Sequence, residues 1–429
     1  MIRTRKASNA YERKKNRARW QRRAGVFFSL ILIIIIGFMI QYMNRGDRIA
    51  STTDPDNRSN QDNPAISKPN AATDAVKTPT PSIHIVPTSS MLPTSNNHSS
   101  NMPNPTANPL PNALISDSSH VTFAFVGDVL LASGVDTLMK KNGYDYPYRD
   151  VKSYLHKPDL TIANLESSVS DRGKAAENKE YVYRASPLSL PALAEAGIDL
   201  VNLANNHVMD YGTEGLLDTL DYLDRAKISR VGAGRDAAEA FKPVIIEKKG
   251  IKIAFLSYSR VVPDHSWKAG VNKPGVADTY NYTLPVESIK QASRQADLVV
   301  VIAHWGLERK DRPEAYQTDL AHRFIDAGAD LIVGSHPHVL QGFEQYKGKW
   351  IAYSLGNFIF TTNEVKETLD SIILNVACSK ALQCQLSVVP IFTQWAKPVV
   401  MNEEAGKRLL ARLNSISYQV KVNPNGQVQ

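Results

Sequence analysis

Five apolar runs of this 429-residue chain end on side chains that could bind a metal ion or move a proton. FAFVGD ends on Asp128, LTIANLE on Glu166, LVNLANNH on Asn205, Asn206 and His207, LVVVIAH on His304, and LIVGSHPH on His336 and His338. Carboxylates, an amide oxygen and imidazoles, with no thiolate among them, suit Mn²⁺, Fe²⁺ or Zn²⁺. A bridging carboxylate among histidines and an asparagine is the usual ligand set of a two-metal site. Such a pair of ions, about 3.5–4 Å apart, clamps the attacking and leaving oxygens of a phosphoryl centre. His207 is placed to donate a proton to the leaving oxygen, and Asp210, three residues on in NHVMDYG, to orient that imidazole. In an extended chain residues i and i+2 point the same way, so His336 and His338 would converge, stiffened by Pro337 between them. One His-x-His alone is as well explained by a polar turn after a buried strand. Five such endings argue for a site.

The elements that must position these residues read as α/β. Strand-like runs are VTFAFVG (121–127), DLTIANL (159–165), IDLVNLA (198–204), ADLVVVIA (296–303) and LIVGS (331–335). They alternate with helical patterns over 133–141, 189–197, 213–226 and 316–328, which predicts a largely parallel sheet. In such sheets the carboxyl ends of the strands share one rim, and ligands bind there. VIIEKKGIKIAFLSYS (244–259) predicts a hairpin turning near Lys249-Gly250, and GFEQYKG, KWIAYSLGNFIF and the last apolar runs predict further antiparallel strands. The folded domain is placed at 119–400, with a helix and tail over 401–429.

Other residues are candidates of a second kind. Arg309, Lys310 and Arg312 after AHWGLE, and Arg184 in YVYRAS, could hold an anionic substrate, or they form solvated loops. Asn357 in SLGNF either lines the rim or sits in a turn beside Gly356. The two cysteines, Cys378 and Cys384, flank SKALQ between two strand-like runs. That spacing suits a disulfide across a hairpin neck, or leaves two free thiols.

Charge is unevenly distributed. Residues 1–23 hold ten Lys/Arg against Glu12, a net of +9, while the whole chain carries +8, so the other 406 residues sum to about −1. The basic character belongs to a tail, which argues against nucleic acid as a partner. The uncharged run 24–43, AGVFFSLILIIIIGFMIQYM, matches a bilayer core in length. No small-x-small cleavage site follows it closely, and the positive-inside rule puts residues 1–23 in the cytoplasm and the remainder outside the cell. Residues 44–118, with eleven of the 24 prolines, predict a disordered tether spanning roughly 50 Å.

Taken in order, GDVLL, ANLES, NLANNHVMDYG, AHWG, GSHPHVLQG and YSLGNFIF resemble the CapA/PgsA-type poly-γ-glutamate capsule synthesis proteins, a branch similar to the calcineurin-like metallophosphoesterases. The resemblance covers residues 121 to about 395. It implies a four-layer αββα sandwich, with Asp128 as the first metal carboxylate and Glu166 at the bridging position. Asn206 and His207 match the Asn-His pair, His304 the isolated histidine, and His336 and His338 the closing His-x-His. The wider superfamily begins with Asp-x-His, whereas Asp128-Val129-Leu130 lacks that histidine, and it bridges with Asp rather than Glu. The capsule branch shares both departures, and one or two divalent ions are expected. Implied partners are the bilayer, membrane-bound synthetase or transport subunits, and an anionic polymer or phosphate-containing substrate. Three readings follow: a capsule-synthesis component, an exported metallophosphoesterase, and a metal-stabilised binding module without turnover.

Overall fold

The computed structural model describes residues 120–361 and 365–429. The expected cytoplasmic tail, membrane helix and tether therefore lie outside the described residues. Among the described residues no helix is long and apolar enough to cross a membrane.

Four parallel strands open the fold: β1 (His120–Val129), β2 (Leu160–Leu165), β3 (Leu200–Asn202) and β4 (Ser229–Val231). The chain then builds a second sheet from β5 (Val244–Lys248), β6 (Ile251–Ser259), β7 (Leu298–His304), β8 (Leu331–Ser335), β9 (Leu340–Tyr346) and β10 (Lys349–Leu355). Its order is β9-β10-β8-β7-β6-β5. Finally β11 (Asn357–Ile359), β12 (Asp370–Ser379), β13 (Cys384–Gln394) and β14 (Lys397–Val400) return to the first sheet, whose order is β14-β13-β12-β1-β2-β3-β4. The strand β11 also pairs with β1, in parallel.

The single, largely parallel sheet expected from the sequence is thus two sheets, each parallel at its centre and antiparallel at a margin. Turn length explains the difference. β5 and β6 are joined by Lys249 and Gly250 alone, both at positive φ, and a two-residue link can only fold the chain back antiparallel. Parallel neighbours need a crossover, and helices supply it: α1 (Gly134–Asn142), α2 (Gly212–Ala226), α3 (Thr283–Ala292) and α4 (Ala315–Asp326).

The layers follow from strand alternation. In β1, Val121, Phe123 and Phe125 join a core shared by both sheets, while Ala124 and Val126 join the core under the helices of the first sheet. In β6, Ile253 and Phe255 face the shared core, and Ala254, Leu256 and Tyr258 face the helical side. Phe123 and Phe255 meet edge-on at 6.2 Å between ring centroids, bridging the sheets. Buried residues of α2 complete the first outer core and those of α3 and α4 the second, which makes the αββα sandwich. The C-terminal helix expected within 401–429 is α5 (Glu403–Ile416), whose Leu409, Leu410, Leu413 and Ile416 are buried in the shared core. Beyond it, Gln427–Val428 adds a short strand to β13. Cys378 and Cys384 are opposite each other in the β12–β13 hairpin and form a disulfide.

Candidate metal centre

The carboxyl ends of the parallel strands in both sheets meet at one end of the sandwich. The rim expected from a single sheet is therefore shared by two. Asp128, at the end of β1, is in register with Asn164 of β2 on one side and Asn357 of β11 on the other; Asn164 is in register with Asn202 of β3. Four buried polar side chains thus form a row across four strands. From the second sheet, β7 ends on His304 opposite Ser335 of β8. Glycine allows this end to close. A Cβ at Gly127 would lie 1.8 Å from the Gly356 carbonyl oxygen, which accepts the Asp128 N–H at 3.0 Å. Gly334, just before Ser335, packs as tightly on the Tyr353 carbonyl.

Two triads of possible ligands share one residue. Glu166, His304 and His336 offer atoms within 4.8 Å of one another, and so do Asp128, Glu166 and His338. His304 Nε2 lies 2.9 Å from Asn206 Oδ1 and 3.6 Å from Glu166 Oε1, so these three atoms converge. The other nitrogen of His304 meets Ser335 Oγ at 3.1 Å, and His338 Nδ1 meets Asn357 Oδ1 at 2.9 Å. A hydrogen bond at Nδ1 is the usual way to fix an imidazole for ligation through Nε2. Among the described residues seven buried side-chain polar atoms lack a hydrogen-bond partner, and four of them are Asp128 Oδ2, both oxygens of Glu166 and His336 Nδ1. Buried carboxylate oxygens left without donors are costly, and a divalent cation would satisfy all four atoms. The donor set fits such an ion.

The electrostatics agree. Burial pushes the Glu166 carboxyl well above its usual range, and the neighbouring Asp128 carboxylate adds to the effect. Burial holds His304 and His336 neutral, each pulled further down by a neighbouring imidazole, His336 and His338 respectively. Burial also pulls at His338, yet the Glu166 carboxylate and the contact with Asp128 outweigh it and push this imidazole up to about 10. The field at His338 is that of a place built for positive charge.

The His-Pro-His segment departs from the expected geometry. The strand stops at Ser335, and His336 and His338 adopt φ of 99° and 58° rather than extended values. Non-glycine residues rarely take such angles, and the residue before proline normally avoids them. The turn is clasped from both sides: the Arg309 N–H donates to the Pro337 carbonyl at 2.8 Å, and Asn357 holds His338. The two rings still converge, with centroids 5.9 Å apart.

His207 and Asp210 are paired as expected, His207 Nδ1 to Asp210 Oδ2 at 2.7 Å. Burial lowers the His207 pKa against the pull of Asp210. A third member, Lys179, was missed by sequence reasoning. Its ammonium lies 2.8 Å from His207 Nδ1 and also contacts Asp210 Oδ1 and the Asn206 carbonyl. The Tyr183 backbone N–H donates to Asp210 Oδ2 at 2.7 Å, and the Tyr183 ring lies 4.6 Å from that of His207.

The expected anion-binding residues are distributed otherwise. Asn357 is buried and engaged at both ends, with His338 and with the Thr368 carbonyl, so it supports a histidine instead of facing a substrate. The Arg312 guanidinium donates to the Ser415 carbonyl in α5, and Lys310 pairs with Glu314. Arg184 is exposed and lies over the Tyr211 ring at 4.3 Å. Among the described residues the side chains of Arg184, Arg309 and Arg312 make no contact with the ligand triads. Their loops hold them on other partners. Also missed were Asn164 and Asn202. Asn164 donates to Asp128 Oδ1 at 2.7 Å and accepts from Asn202 and Asn205. The signal was present, since asparagine is a poor strand former and recurs near the ends of β2 and β3.

Residues 122–362 match the family described as bacterial capsule synthesis protein PGA_cap. This chain belongs to that family. It is 33% identical over 287 residues to the PGA biosynthesis protein CapA of Bacillus subtilis, covering 66% of this chain and 75% of that one. The capsule biosynthesis protein CapA of Bacillus anthracis is 33% identical over 307 residues, covering 69% and 73%. A probable polyglutamine synthesis accessory protein of Mycobacterium tuberculosis is 29% identical over 282 residues, covering 56% and 74%. The matched region takes in every residue of both triads.

Proposed function

We propose that this chain is a membrane-anchored, outward-facing component of poly-γ-glutamate capsule synthesis or export, with a divalent-metal site of the phosphoesterase type. Family membership supports the capsule role, and the uncharged run 24–43 behind a basic tail supports the anchor. One observation carries the metal site: four partnerless buried polar atoms of Asp128, Glu166 and His336 share one cluster with His304 and His338. Those five residues, with Asn206, would hold one or two ions of Mn²⁺, Fe²⁺ or Zn²⁺ character. A bound ion supplies Lewis-acid charge to an ester oxygen and makes water a nucleophile near neutral pH. His207 stands beside the cluster, its Nδ1 held by Asp210, so that Nε2 is the nitrogen available to pass a proton to a leaving oxygen. That pair favours a second, compatible reading, an exported phosphoesterase acting on a wall or capsule ester.

The test uses the full chain in detergent, measuring bound metal and Mn²⁺-dependent hydrolysis of a generic phosphodiester beside His336→Ala. Hydrolysis that needs both the metal and His336 supports the site. A folded protein that binds no divalent ion sinks it. Replacing residues 24–43 with a cleavable signal in a capsulated cell tests the anchor, with loss of surface polymer as the expected outcome.

A further inference from the structure

The rim carries a cation that the arrangement above does not use. Arg260 directly follows β6, and its backbone N–H donates to the His304 carbonyl at 2.8 Å, which places it beside the candidate metal centre. Its guanidinium is only partly buried and lies over two tyrosine rings, 4.3 Å from the centroid of Tyr280 and 5.6 Å from that of Tyr316. The Tyr316 hydroxyl accepts the Gly306 N–H at 2.9 Å, fixing that ring to the loop after His304. Among the described residues no carboxylate pairs with Arg260, whereas Lys179 is held by Asp210 and Arg323 by Asp319. Tyr280 is half exposed and receives a second cation, the Lys268 ammonium, 4.1 Å from its centroid. Lys268 is tied to Asp278 at 3.2 Å. Next to it in the chain, Trp267 carries the Lys179 ammonium at 5.5 Å, and Lys179 in turn touches His207.

Stacking on aromatic rings holds a guanidinium in place without consuming its donors. Arg260 therefore presents a fixed planar fork, ready for a carboxylate, at the edge of the metal cluster. With Lys268 on the same ring, positive charge extends outward along the 260–282 loop while the domain as a whole stays near neutral. We infer that Arg260, steadied by Tyr280 and Tyr316, is the anchor for a substrate chain bearing repeated carboxylates, and that Lys268 takes an adjacent anionic group of the same chain. The inference rests on the capsule reading for its polymer and deepens it, by moving anion recognition from Arg309 and Arg312 to the loop after β6.

The test is binding of a γ-linked oligoglutamate to the full chain in detergent, by calorimetry at low and at physiological salt, with bound metal measured on the same samples. Arg260→Ala should weaken binding about 10-fold, Arg260→Lys less, and Tyr280→Leu should weaken it while leaving the charge count unchanged. Metal content should stay at the wild-type level in all three. Equal affinity of wild type and Arg260→Ala, or no binding by wild type, would overturn the inference. So would equal competition by inorganic phosphate and by oligoglutamate at matched charge, since the anchor would then serve a phosphate. Loss of the metal reading alone leaves an Arg260-dependent binding isotherm intact, so the two failures are distinguishable.

Discussion

The two ends of the same parallel strands use acidic residues in opposite ways. At the amino ends, four strands begin with Asp-Leu: Asp159-Leu160, Asp199-Leu200, Asp297-Leu298 and Asp330-Leu331. Each of these aspartates makes a reciprocal pair with the neighbouring strand. Asp159 donates its N–H to the Thr122 carbonyl and accepts the Thr122 N–H on its carboxylate. Asp199 does the same with Thr161, Asp297 with Lys252 and Asp330 with Val299. At the carboxyl ends, Asp128 and Glu166 keep three oxygens without donors. Residue type is shared, and satisfaction is not. A carboxylate whose donors are all supplied by the backbone has done its work once the sheet has formed. One buried without donors is unstable unless something else arrives.

The contrast breaks most visibly at Glu166, the residue common to both triads. Glu166→Gln should remove most of the bound divalent metal, a loss of affinity of about 100-fold or more by comparison with the 10–100-fold typical of outer-shell changes. In metal-stripped protein the same change should leave the melting temperature equal or higher, because it deletes a buried charge beside Asp128. Metal analysis and thermal unfolding of both forms check the pair of outcomes. A drop in stability without loss of metal would place Glu166 with the structural aspartates.

Asn164 lies between the two classes. It supports Asp128 Oδ1 and is itself held by Asn202 and Asn205, all in the interior. Asn164→Ala would orphan one carboxylate oxygen and two amide groups, costing about 3 kcal/mol of stability and weakening metal binding about 10-fold. Unchanged metal affinity at reduced stability would make the asparagine row purely structural.

The comparison also shows what the sequence could reveal. Asp128, Glu166, His207 and His304 stand directly after apolar runs, where a period of two and a change of composition are visible in one dimension. The hairpin at Lys249-Gly250 was legible for the same reason. Asn164, Asn202 and Ser335 are interior to such runs, and their role depends on register between strands about 40 residues apart or in different sheets. Lys179 comes from a loop with no pattern at all. The splitting into two sheets was hidden because each half separately reads as α/β, and the extended His-Pro-His failed because tertiary clasps at Pro337 and Asn357 overrode the local preference before proline. The Asp-Leu repeat was visible but unread, being a structural signal mixed with functional ones of the same residue type.

Asp330→Ala should sharpen the amino-end half of the contrast. The carboxylate is buried, accepts the Val299 N–H at 2.9 Å and receives the Lys349 ammonium at 2.6 Å. Its loss should cost about 2 kcal/mol in denaturant unfolding and leave metal content untouched. Any fall in bound metal would couple the two rims and weaken the division drawn between them.

The smallest effect, and the one with a pH signature, belongs to Asp159. Burial pushes this carboxyl up, but the Lys249 ammonium at 2.8 Å and the two bonds from Thr122 outweigh it and hold the group below its usual range. A depressed carboxylate stabilises the fold at pH values above its unfolded pKa of about 3.9 and ceases to do so as pH falls through the folded value. Asp159→Asn should therefore cost about 1 kcal/mol at pH 7, a figure set by the hydrogen bonds because the side chain is partly exposed. The gap to wild type should hold to about pH 5 and close below about pH 4. Unfolding curves at pH 7, 5 and 3 check the sign: a gap that widens toward acid would mean the native carboxyl is raised, as burial pushes Asp199, and would set Asp159 apart from a satisfied structural pair.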